Sequence, residues 1–107
     1  MRMAEANLSP AVAAPVPAGL VLPAALTLRD ARSAMATLGP AIAATDEGTV
    51  RIDAAALTHI DSASLAVLLQ CRRLAEERGR GFAVLNAPAR LVDLARLYGV
   101  AELLGLA

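Results

Sequence analysis

The sequence predicts a small α/β domain in which helices cover a mixed, at least partly parallel sheet, and three observations carry that expectation. Hydrophobic residues alternate along the chain between the two-residue repeat of a strand and the three-and-four spacing of a helix, in the order strand, helix, strand, helix, strand, helix. At 107 residues, 57% hydrophobic and 19% charged, the chain can bury one core and no more. No internal repeat is visible, so the order is that of a single unit.

Residues 1–18 form an Ala/Pro tail in which Pro10, Pro15 and Pro17 prevent a continuous helix, and this segment is expected to be disordered. The globular part, 19–107, opens with the apolar run Leu20-Val21-Leu22 closed by Pro23, read as an edge or first strand. Thr27 with Asp30 three residues on resembles a capping box, so a helix is expected to start there. Leu28, Ala31, Met35, Leu38 and Ile42 would share one face of it, with Gly39-Pro40 ending or kinking the helix before Ile42.

Asp46-Glu47-Gly48 reads as a turn, and Val50 and Ile52 then alternate with polar neighbours as in a strand. Leu57 to Ile60 leads into Asp61-Ser62, from which residues 63–78 run as a helix closed by Gly79. Residues 81–86 carry Phe82, Val84 and Leu85 as a buried strand. Asn86 and Pro88 open a last helix with Leu91, Leu94, Ala95 and Tyr98 on one face, Gly99-Val100 as its cap, and Glu102-Leu103-Leu104 packing back on the body.

Composition removes several function classes. All ten cations are Arg, balanced by ten acids, and the chain has two aromatic residues, so neither a polyanion-binding field nor a stacking platform for bases is present. Cys71 and His59 are the sole cysteine and histidine, too few for a zinc site. A Cys71/His59 dyad is formally available, but Cys71 lies in an apolar helical run that favours an inert buried thiol. No G-x-S-x-G elbow and no G-x-x-x-x-G-K-[ST] loop occurs, and the expectation is a non-enzymatic protein without metal or cofactor. The absence of a signal pattern and of a Pro-free, charge-free span leads to an expected soluble, cytoplasmic protein.

The helix from residue 63 holds the residue pattern of most interest. At about 100° per residue, Ser64, Val67, Leu68, Cys71, Leu74 and Ala75 form the sheet-facing arc. Leu65 and Leu69 fall beside it, in a stripe shared with Arg72 and Glu76, which either a neighbouring helix or a partner covers. Ser62 also has two readings: an N-cap that satisfies an orphan amide, or a phosphoacceptor at the positive end of a helix with Asp61 beside it.

The run Val50-Arg51-Ile52-Asp53 followed by Leu57-Thr58-His59-Ile60-Asp61-Ser62-Ala63-Ser64-Leu65-Ala66-Val67-Leu68-Leu69 resembles the STAS-domain signature, a strand leading to an Asp-Ser/Thr pair that opens a helix. The resemblance covers roughly residues 19–105 and implies a STAS-like α/β fold. Ser64 departs from it, since the family often has Gly there. The family includes anti-sigma-factor antagonists, the cytoplasmic tails of sulfate transporters, and an accessory subunit of the Mla phospholipid-transport ABC complex. Leu94-Ala95-Arg96-Leu97-Tyr98-Gly99-Val100 is more similar to the Mla subunit.

This resemblance implies a docking surface of Asp61, Ser62, Ala63 and Ser64 on the P-loop ATPase of a Mla-type transporter, to which the helical projection adds Leu65, Leu69 and Arg72. Such a subunit would sit at the inner membrane through its complex. Two alternatives stand beside it: an antagonist released from a serine kinase by phosphorylation of Ser62, and an orphan module that dimerises through Leu65 and Leu69.

Overall fold

The core strand of the domain is Thr49–Asp53, in which Val50 and Ile52 point inward and are wholly buried while Thr49 is exposed. A computed structural model describes residues 17–46 and 48–106; the expected tail lies, up to residue 16, outside the described residues. The elements follow as a 3-10 turn (Ala18–Leu20), β1 (Ala25–Leu26), α1 (Ala31–Ala43), β2 (Thr49–Asp53), β3 (His59–Ile60), α2 (Ser62–Glu77), β4 (Gly81–Leu85) and α3 (Ala89–Leu97).

β2 pairs with β4 in parallel from Thr49 opposite Gly81 to Asp53 opposite Leu85, and β1 pairs with β3 in parallel at Ala25–His59 and Leu26–Ile60. The segment between joins the two ladders. Val21 bridges to Asp53, the Leu22 N–H donates to the Asp53 carbonyl at 2.8 Å, and Thr58 and His59 donate to the Ala24 carbonyl. The sheet expected to be mixed, and at least partly parallel, is parallel in every pairing among the described residues.

The strand expected at Leu20–Leu22 is reduced to that single bridge. Leu20 ends the 3-10 turn by donating to the Pro17 carbonyl, and Pro23 has no N–H to extend a ladder, so the two-residue strand forms beyond it. The two-residue alternation survives in the side chains, with Leu20 and Leu22 buried around an exposed Val21.

α1 begins at Ala31, later than the Thr27 start expected. Asp30 Oδ2 accepts from the Thr27 N–H at 2.9 Å and from its hydroxyl at 2.8 Å, so the hydroxyl is spent as a donor to the carboxylate and caps no helical amide. These bonds, the one from the backbone foremost, hold the Asp30 carboxyl below its ordinary value. A turn therefore precedes the helix, and Leu28 stands outside it, exposed. The buried stripe is Ala34, Leu38 and Ile42. Helix α1 also runs through Pro40 to Ala43. Gly39 has no Cβ to meet the proline ring, and the last turn closes with the Ala44 N–H on the Pro40 carbonyl at 3.0 Å.

α2 packs against α1 and β4, with Cys71 Sγ 4.0 Å from Met35 Sδ. Leu68, Cys71 and Ala75 are wholly buried there. α3 buries Leu91 and Ala95 and ends in a Schellman turn: Gly99, at φ +73°, donates to the Arg96 carbonyl, and the Val100 N–H reaches that of Ala95. Tyr98, expected on the buried face, falls at this cap and is exposed. Of the Glu102-Leu103-Leu104 turn expected to pack back, Leu104 is buried, with Ala101 and Leu106 beside it, while Glu102 and Leu103 are exposed.

A Cβ on Gly19 would lie 2.7 Å from the Ala41 Cβ, so the 3-10 turn approaches α1 too closely for any side chain. Gly19→Val should lower the urea midpoint through overpacking of about 1–3 kcal/mol. Leu68→Ala, which empties a fully buried site, should cost about 2–5 kcal/mol in the same measurement.

Candidate functional site

Asp61 holds together the segments that meet at the start of α2. Its backbone is extended (φ −143°, ψ −171°), which lets its side chain turn onto the helix it precedes. Oδ1 accepts from the Ala63 N–H at 2.8 Å, and Oδ2 accepts from the Leu28 N–H in the turn before α1 at 3.1 Å. The Asp61 N–H in turn donates to Ser64 Oγ at 3.2 Å, completing a capping box. Asp61 is therefore the N-cap, and Ser62, which the sequence offered for that role, is the first helical residue.

That shift of one position sets the accessibility of the serine. Ser62 is exposed, and its hydroxyl makes no hydrogen bond among the described residues. Ser64 has the opposite fate: it is fully buried, donates to the Leu26 carbonyl of β1 at 2.5 Å and accepts from Asp61. The serine that replaces the family's frequent glycine thus turns its hydroxyl inward and ties α2 to the sheet.

The other expected contacts separate along the helix. Ala63 and Leu69 are half-buried, whereas Leu65 is 3% exposed and belongs to the core. Leu65 and Ser64 accordingly present almost no side-chain surface to a partner, because the fold itself covers that part of the stripe. Arg72 pairs with Glu76 at 2.9 Å on the same helix. At about 1.5 Å rise per residue, Leu69 stands about 10 Å along the axis from Ser62.

Two residues that the projection of α2 did not select adjoin Asp61. Leu28, tied to Asp61 through its backbone N–H, is 78% exposed. On the other side a groove runs between the end of β3 and α3, lined by Ile60, Asp61, Arg90, Asp93, Leu94 and Leu97, and Leu97 is 79% exposed. Neither was legible from α2 alone, since one precedes α1 and the other ends α3. The helix pattern asked for burial of Leu28, whereas Leu97 lies off the Leu91, Leu94, Ala95 and Tyr98 face and carried no signal beyond being a leucine on the polar side.

The Cys71/His59 dyad does not form. Cys71 is buried against Met35, and His59 is exposed with Nδ1 3.1 Å from the Thr58 hydroxyl. Burial pushes the Cys71 thiol from 9.0 up to about 12. Among the described residues no three His, Cys, Asp or Glu side chains cluster as metal ligands, and no helix is long and apolar enough to cross a membrane.

Parallel ladders backed by helices, with a capped Asp-Ser helix start left open to solvent, define a small α/β module of the STAS class. The family described as Mlab, STAS domain matches residues 11–105, and the chain belongs to it. Comparison with curated proteins finds no match. Domains of this family serve generally as regulatory or accessory modules that act through protein interaction, without enzymatic activity of their own.

The two serines should respond oppositely. Ser64→Ala leaves the Asp61 N–H and the buried Leu26 carbonyl without their partner and should cost about 1–3 kcal/mol on denaturation. Ser62→Ala should stay within about 0.5 kcal/mol of wild type. The Cys71 thiol should resist alkylation at pH 8 until the chain unfolds. Because its folded pKa is raised above the unfolded value, stability should fall as pH climbs from 9.0 toward about 12, and Cys71→Ala should flatten that slope.

Proposed function

We propose that the domain is the accessory STAS subunit of a Mla-type phospholipid-transport ABC complex, docking on the P-loop ATPase through the Ser62 end of α2. The observation that carries this reading is the match to the Mlab family along residues 11–105. The site geometry supports it: Asp61 is engaged in holding the helix start, so the adjacent Ser62 hydroxyl and the first turn are presented to a partner. The chain supplies no nucleotide-binding loop and acts by contact with the subunit that has one. Its place at the inner membrane then follows from the complex.

A second reading, partner switching with a serine kinase, is favoured by one feature, the exposed and unbonded Ser62 hydroxyl. A phosphoryl group there would add a charge of about −1.5 to −2 beside the Asp61 carboxylate and impose desolvation on any apolar contact. Release of the partner is the natural outcome. No exposed Leu65/Leu69 pair supports the dimeric alternative, since Leu65 is in the core.

Copurification with the ATPase encoded beside the gene is the test. The wild-type chain should retain the ATPase and Ser62→Glu should lose it; absence of binding, or binding that ignores Ser62→Glu, removes the transporter reading. In that event, a phosphate increment in intact mass after incubation with a neighbouring serine kinase would establish the switch.

A further inference from the structure

The two most exposed large hydrophobic side chains among the described residues, Leu28 and Leu97, belong to segments 69 positions apart in the chain, yet both adjoin Asp61. Leu28 is fastened to the Asp61 carboxylate by its N–H at 3.1 Å, and Leu97 lines the same groove as Asp61. Leucines at nearly 80% exposure are ordinary when scattered singly. Here both adjoin the residue that caps the helix whose first residue is the exposed Ser62, and Tyr98, next to Leu97 in the chain, is exposed as well.

The groove has charge as well as apolar surface. Ile60, Leu94 and Leu97 supply its apolar lining, while Asp61 and Asp93 face a single cation, Arg90. Asp93 pairs with Arg96 at 3.9 Å, on an exposed helical surface where such pairs are weak. Each Asp61 oxygen accepts one N–H and retains a lone pair for another donor. Two carboxylates against one arginine in the groove lining offer acceptors to a basic protein side chain.

We propose that the docking surface is an apolar collar, Leu28 on one side and Leu97 on the other, closed around Asp61 and Ser62. Its occupant is a segment of the ATPase that brings apolar side chains to the leucines and a basic side chain to the Asp61–Asp93 wall. This rests on the transporter reading and specifies its interface. It moves the contact from the Leu65–Leu69–Arg72 flank of α2 to residues of three different segments. It also gives the Ser62 hydroxyl its sensitivity: a group at the centre of an apolar collar is fully desolvated on docking, so an added charge there cannot retain its water.

The experiment is calorimetric titration of the purified ATPase with the full-length chain and with Leu28→Ser, Leu97→Ser and Asp93→Arg, each checked by circular dichroism for an unchanged fold. Val21→Ser, at an exposed apolar position lining a different groove, is the control. Each collar variant should weaken binding by about tenfold and the control by less than about twofold. Collar variants that bind like wild type while Ser62→Glu abolishes binding overturn the collar and leave the transporter reading standing. Asp93→Arg at full affinity overturns the basic occupant. A wild-type chain that does not bind removes both readings. So does an effect of the leucines confined to cosedimentation with phosphatidylglycerol vesicles, or to a dimer seen by light scattering.

Discussion

The hydrogen-bond knot at residues 61–64 is the constraint on which the functional end of the domain depends. Asp61 joins the turn before α1 to the first amides of α2, and Ser64 carries the connection on to the Leu26 carbonyl of β1. A short strand of two residues has little ladder of its own to hold it. The buried Ser64 hydroxyl supplies part of what the ladder lacks, with low local polarity making an unpaired group there costly and the paired arrangement correspondingly rigid. Ser62 is presented to solvent because its neighbours on either side are engaged inward.

The rest of the domain is built to suit small side chains. Without tryptophan and with one phenylalanine, the core is Leu, Ile, Val and Ala, and its elements approach closely where glycine or alanine permits. Gly19 against Ala41 is one such place, and the buried Ala34 and Ala75 are others. The parallel ladders lie beside two packed helices, α1 and α2, and one continuous cluster of buried residues extends from Leu20 to Leu106. Such a scaffold leaves chemistry to its loops and helix ends, the usual place for function on a rigid fold.

Legibility in the sequence followed the range of the forces involved. The period-two pattern at Thr49–Asp53, the long helix to Glu77, and the Gly99 cap were readable because each is set by residues within a few positions of one another. The start of α1 was not, because Thr27 donates to Asp30 instead of capping, a choice between two local hydrogen bonds that residue type alone leaves open. Of the two outcomes offered for Gly39-Pro40, an end to the helix did not occur, since α1 runs on through Pro40 to Ala43. Tyr98 carried the right period for burial and the wrong position, at a cap.

Taken by itself, the sequence determined the class of fold and the Asp-Ser pair at a helix start, since these depend on composition and short-range spacing. The tertiary structure alone decided which serine faces solvent and which faces the core, that Leu65 is internal, and that Leu28 and Leu97 each adjoin Asp61. The physical reason is that burial and apposition are properties of non-local packing: the turn before α1, the end of β3 and α3 come together at one residue, Asp61, and no short window along the chain contains all three.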